Sequence, residues 1–102
     1  MKELTNSVKL LVEDELTSAN KKFGMFNSTH EGYAIIMEEV EELDYELGRI
    51  KYLLSNLWST IKNNEKQGSL LERLRINATN AAAESIQIAA MAQKFIDSSN
   101  KW

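Results

Sequence analysis

The sequence predicts an all-α fold, a three-helix chain with a long antiparallel helical hairpin that dimerises into a helical bundle. Three observations carry that reading. The 102 residues include no proline and only four glycines, three of them at or near expected helix ends. Apolar residues recur in alternating steps of three and four over long stretches, the spacing of one helix face. Two Ser-x-x-Glu tetrads, Ser28 to Glu31 and Ser69 to Glu72, have the form of capping boxes that start helices.

The first helix is expected from about Glu3 to Lys22, with Leu4, Val8, Leu11, Val12, Leu16, Ala19 and Phe23 on one face. Gly24 suits its C-terminal stop, and Lys21 and Lys22 suit the negative end of its dipole. Met25 and Phe26 are apolar for a connection and are expected to pack under the next helix.

The second helix is expected from Thr29 to about Asn63, running through Gly48 at a local cost of about 1 kcal/mol. Ile36, Val40, Leu43, Leu47, Ile50, Leu54, Leu57 and Ile61 hold its phase. Such a helix is about 50 Å long at 1.5 Å per residue, whereas a compact domain of this size has a radius of gyration of about 13 Å. Its distal half, with Leu53, Leu54, Leu57, Trp58 and Ile61, therefore calls for a partner, most simply a homodimer or a dimer of dimers. His30, the only histidine, falls in the first turn and reads as a surface residue.

Residues 63–68 form a polar turn, and a third helix is expected over about 69–97. Leu71, Leu74, Ala78, Ala81, Ser85, Ile88, Ala92 and Phe95 make its apolar face, and its many alanines admit a close neighbour. Ser98 to Trp102 are expected to fray. The whole of 1–102 is thus a single domain.

Two features do not belong to a plain bundle. The run Glu38-Glu39-Val40-Glu41-Glu42-Leu43-Asp44-Tyr45-Glu46 puts six acids in nine residues inside the apolar repeat. Helical angles set Glu39 and Glu46 on the border of the apolar face, with Glu42 just beyond. Like charges three or four apart repel by roughly 0.2–0.5 kcal/mol per pair. Crowded beside a dry seam, such carboxylates need arginines, protons or a hard cation; the plain alternative is a solvated acidic face.

The second feature is the stripe Arg73, Asn77, Asn80, Glu84 and Gln87, on or beside the apolar face of the third helix. It reads either as a buried hydrogen-bond network or as the other half of a metal site. In an antiparallel hairpin hinged midway along 63–68, Glu42 and Glu46 come level with Gln87 and Glu84. Glu39 then lies about two turns too far from the hinge unless the turn is tighter or Gly48 kinks. Oxygen ligands gathered across one seam are magnesium-like chemistry.

Composition narrows the classes. With no cysteine there is neither a disulfide framework nor a thiolate metal site, which points to an intracellular, cytoplasmic location. Nothing at the N-terminus has the apolar run of a signal peptide, and no window approaches a membrane span. The net charge of −3 and the scattered basic residues argue against duplex nucleic acid as a partner. No glycine-rich phosphate loop is present, so any phosphate must be held by metal and side chains.

With those residues in view, the chain resembles the MazG-like all-α nucleoside triphosphate pyrophosphohydrolases, especially the small phage and prophage members. The matching stretches are Lys22-Phe23-Gly24 on through Phe26 to Ala34, Glu38 to Leu43, and Ala83 to Ala92. That family carries E-x-x-E on one helix and E-x-x-D on the next, holding magnesium against a triphosphate. Glu39 and Glu42 match the first pair and Glu84 the first acid of the second, while Gln87 stands where Asp is usual. The distance between Glu42 and Glu84 is also longer than the family's, as if about four turns had been added to each hairpin arm.

The resemblance implies a magnesium-dependent hydrolase, with manganese as a substitute ion, that splits a nucleoside triphosphate into monophosphate and pyrophosphate. Its metal ligands would be Glu39, Glu42, Glu84 and Gln87. Its base would be one of Glu38, Glu39 and Glu42. By their position near the polar stripe, Arg73 and Lys94 are candidates for holding phosphates and Asn77 and Asn80 for base or sugar contacts, against the plain reading of surface charges and a capped polar network. The competing class is a noncatalytic helical-bundle interaction or structural protein whose acid stripe pairs with a basic partner. Gln87 and the long arms speak for that class.

Overall fold

The computed structural model describes residues 1–102. Three helices follow one another without a strand: α1 (Lys2–Phe23), α2 (Thr29–Lys62) and α3 (Leu70–Ser99). No helix is long and apolar enough to cross a membrane. α1 ends where expected, because Gly24 adopts φ 67° and its N–H returns to the Asn20 carbonyl at 3.1 Å. α2 runs unbroken through Gly48.

The two serine starts differ. Ser28 is extended, and its hydroxyl accepts from the Glu31 N–H at 3.1 Å. The reciprocal half of that box is absent, since the Glu31 carboxylate accepts from Asn27 Nδ2 instead. Ser69 makes no side-chain cap, contrary to the sequence reading. It follows Gly68 at φ 58° and sits at φ −89°, ψ 5°. That is a turn conformation rather than the extended one from which a serine reaches the first-turn amides.

Phe26, from the short α1–α2 connection, is the plug at the centre of the core. It is buried with Ala90 and Met91 and packed round by Val12, Leu16, Ala19, Ile35, Ile36 and Phe95. Burying one such ring stabilises the fold by about 1.5–3 kcal/mol. α1 lies against α3, but its apolar face stays partly open, with Leu4 and Phe23 at its ends and Leu11 between them exposed.

The C-terminal segment does not fray as the sequence suggested. The Phe26 N–H donates to Ser98 Oγ at 2.9 Å, the Ser98 hydroxyl donates to the Lys94 carbonyl at 2.7 Å, and the Trp102 ring meets Phe95 edge-on at 5.7 Å. These contacts carry α3 on to Ser99.

α3 is also turned relative to the expected face. Leu71, Ala78, Ser85 and Ala92 are exposed, whereas Asn77, Ala81, Glu84, Gln87, Met91 and Lys94 are half-buried or buried. Asn77, Glu84 and Gln87 of the polar stripe therefore turn inward beside Leu74, Ala81, Ile88 and Phe95, while Arg73 and Asn80 stay exposed. Contacts between α2 and α3 fall in one order: Gly32 lies against Phe95, Glu39 with Gln87 and Glu84, and Glu46 with Asn77.

That register is one to two turns tighter than a midpoint hinge implies, and it brings Glu39 into line with α2 helical throughout. The cause is the connection, which folds back on the end of α2. Glu65 N–H bonds to the Thr60 carbonyl at 2.9 Å, and Asn64 and Gly68 take positive φ. The start of α3 is thereby carried back alongside α2 instead of beginning at its tip. The chain spans 60 × 30 × 22 Å with a radius of gyration of 17.6 Å.

Candidate metal centre

Glu39 and Glu42 are three apart on α2 and project from neighbouring positions on one side of the helix. Glu84 meets them from α3, and one carboxylate oxygen from each lies within 4.8 Å of the others. Glu39 and Glu84 are half-buried and Glu42 is exposed. Gln87, one turn beyond Glu84, completes the cluster. With its amide nitrogen turned inward it donates to Glu39 Oε2 at 2.8 Å and Glu84 Oε2 at 3.0 Å. That orientation is the favourable one, because an amide oxygen facing two carboxylates would be repelled.

Crowding shows in the titration of these acids. Burial, hydrogen bonding and charge from Glu42, and then the same from Glu39, push the Glu84 carboxyl up to about 7. Glu39 is raised as well, first by burial and then by the Glu42 charge, with Glu38 and Glu15 adding to it and a hydrogen bond with Glu84 opposing it. The raised carboxyls favour a shared proton within the group, which relieves the repulsion that a cation would otherwise neutralise.

Two concavities flank the triad. An open acidic groove of about 420 Å³ is lined by Glu38, Glu41, Glu42, Tyr45, Glu46 and Glu84. A deeper cavity of about 490 Å³ lies between α1, α2 and α3; its lining mixes Glu38, Glu39 and Gln87 with the apolar Phe23, Phe26 and Met91. Lys94 also lines it. This lysine is 2% exposed, with Nζ 4.7 Å from the centroid of the Phe26 ring. Burial lowers its pKa, and the Glu31 carboxylate opposes that shift.

The remaining sequence candidates fall elsewhere. Asn77 is half-buried and donates to Glu46 Oε2 at 2.8 Å, a bridge between α2 and α3. Arg73 and Asn80 are exposed and line neither concavity. Arg73 is eleven residues from Glu84, about 16 Å along the helix. In the other direction, Glu15, Phe26 and Glu31 belong to the cavity and were not singled out as site residues. Glu15, Ala19 and Phe23 recur every four residues on α1, and that spacing was the available signal for the first of them.

The donor set suits a hard divalent ion. Three carboxylates and an amide are oxygen donors of the kind that magnesium takes, and the three carboxylate oxygens already lie within 4.8 Å of one another. No protein-family model matches the chain, and neither does any curated protein or solved structure.

Proposed function

We propose that the chain is a magnesium-dependent nucleoside triphosphate pyrophosphohydrolase, cleaving between the α and β phosphates to give a monophosphate and pyrophosphate. The observation that carries this reading is the meeting of Glu39, Glu42 and Glu84 across the α2–α3 seam, beside a cavity that also holds a buried lysine. The resemblance to MazG-like enzymes supplies the reaction.

In this reading α2 and α3 pair as the antiparallel hairpin, and Glu39, Glu42 and Glu84 would hold the ion, with Gln87 offering its amide oxygen once rotated. The chemistry a divalent ion would supply there is neutralisation of phosphate charge and a lowered pKa for an attacking water. Lys94 offers a poorly hydrated ammonium to a phosphate at the cavity wall, and Phe23, Phe26 and Met91 give the base an apolar surface.

Glu38 lines both concavities and is not one of the three clustered acids, so it is the carboxylate free to take the proton from water. The water oxygen bonds to phosphorus while the oxygen bridging the α and β phosphates leaves with its electron pair. The test is pyrophosphate release from each common nucleoside triphosphate with magnesium or manganese. Release that disappears in both Glu42→Gln and Glu84→Gln supports the proposal.

One observation favours the noncatalytic alternative: the Gln87 amide already satisfies two of the three carboxylates without an ion. A folded chain with no turnover of any nucleotide, and no change in melting temperature with magnesium, would establish that alternative.

A further inference from the structure

We propose that α2 carries a second face, self-complementary, through which two copies of this chain associate antiparallel about a two-fold axis near Leu47 and Gly48. The inference is independent of any catalytic role. Met37, Val40, Leu47, Leu54, Trp58 and Ile61 lie in the three-and-four spacing of one helix stripe, yet are 39–59% exposed. They sit about a third of a turn round the helix from Glu46 and Leu53, which face α3. The stripe is unpartnered within the chain and leaves the glutamate cluster uncovered.

Its two polar members identify the occupant. The spacing that joins Val40 to Leu47 and Leu47 to Leu54 passes through Asp44 and Lys51, one acid and one base on either side of the centre. In a parallel pair each would meet its own kind. In an antiparallel pair centred at 47–48, Asp44 comes within a helical turn of Lys51 of the second copy, and the same contact repeats across the axis. That register also sets Val40 level with Leu54 and Met37 level with Trp58.

Gly48 lies beside the axis, and a Cβ there would meet nothing within 4 Å; a glycine at the crossing lets two backbones approach closely. Area points the same way. The chain exposes 7478 Å², against about 5,800 Å² for a compact chain of its mass. The surplus exceeds the roughly 800 Å² that each partner gives to a standard interface.

The experiment is sedimentation of the full chain with charge variants, together with site-directed cross-linking. Because the chain has no cysteine, Leu47→Cys and Tyr52→Cys each introduce a single thiol, the latter on the far side of α2. A dimer that a short bismaleimide links through Leu47→Cys and not through Tyr52→Cys is expected. Asp44→Lys should weaken association about tenfold or more, and adding Lys51→Asp should restore most of it, with helix content unchanged throughout. A monomer at high micromolar concentration would overturn the proposal. So would a dimer that cross-links only through Tyr52→Cys, one seated on the apolar end of α1, or a charge swap that restores nothing.

Discussion

The two ends of the molecule are built by different rules. At the end that holds Phe26, a connection and three helices converge, and a loop phenylalanine closes the gap between α1, α2 and α3. Beyond Glu46 and Asn77 only α2 and α3 continue, and Leu53 is the one buried residue there. A pair of helices can shield only one stripe on each from water, so the same density of leucines that makes a core at one end leaves Leu54, Trp58 and Ile61 open at the other. The glutamate cluster sits at the boundary. It is dry enough on the α1 side to shift its protonation and wet enough on the other to admit a ligand.

The largest effect expected from this difference is on stability. Phe26→Ala should cost about 3–5 kcal/mol, the loss for a buried aromatic that leaves a cavity. Leu54→Ala, studied at concentrations low enough for a monomer, should cost under about 0.5 kcal/mol, as for an exposed surface change. Urea melts of the two variants measure the contrast directly, and equal losses would mean that the distal arm has a core the structure lacks.

The next effect belongs to the boundary. At a magnesium concentration about 100-fold above its Kd, the wild-type chain should gain about 2.7 kcal/mol by mass action, and Glu84→Gln should gain almost none. The same residue sets a pH dependence in a chelator. A carboxyl whose pKa is raised in the folded state binds more protons there than when unfolded, so its stabilising effect is complete at low pH. It fades as pH climbs from the ordinary carboxylate value of 4.5 to about 7. Melting temperature should therefore fall over that window in the wild type, and fall distinctly less in Glu84→Gln.

Smaller still, and opposite in sign under two conditions, is the response to Gln87→Asp. Without a divalent ion the change replaces two amide donations to carboxylates by a fourth acid, at a cost of about 2 kcal/mol. With saturating magnesium the added charge should tighten metal binding and recover that loss. A variant equally destabilised with and without the ion would remove Gln87 from the metal centre.

The sequence revealed helix extent far better than helix rotation. Gly24 and Ser28 are local signals acting within one turn, and α1 and α2 begin and end within a residue of the expected bounds. Rotation of α3 is a non-local property. Ala78 and Ala92 looked like core and are exposed, because the inward stripe is chosen by what α2 and Phe26 offer to it. Glu39, Glu42 and Glu84 were legible as a cluster because acids inside an apolar repeat are anomalous in any register. Arg73 and Asn80 were drawn in only by being near Glu84 in helical angle, and angle carries no information about height along the axis. The fold-back at Asn64 and Gly68 moved that height by a turn or more and put Asn77 on Glu46 instead.

That last contact yields the smallest prediction and the sharpest one for the register. Asn77 Nδ2 and Glu46 Oε2 are 2.8 Å apart and half-buried, so the bond is charge-assisted yet still reached by water. Asn77→Ala should cost about 1 kcal/mol, below the range for fully buried charged pairs. Glu46→Ala should cost no more, since it also removes one member of a repelling acid run. The double variant is the decisive measurement. If the register is as described, the two losses are less than additive, because both report one bond. Strict additivity would mean that the residues do not touch, and that α3 sits at the height a midpoint hinge would give it.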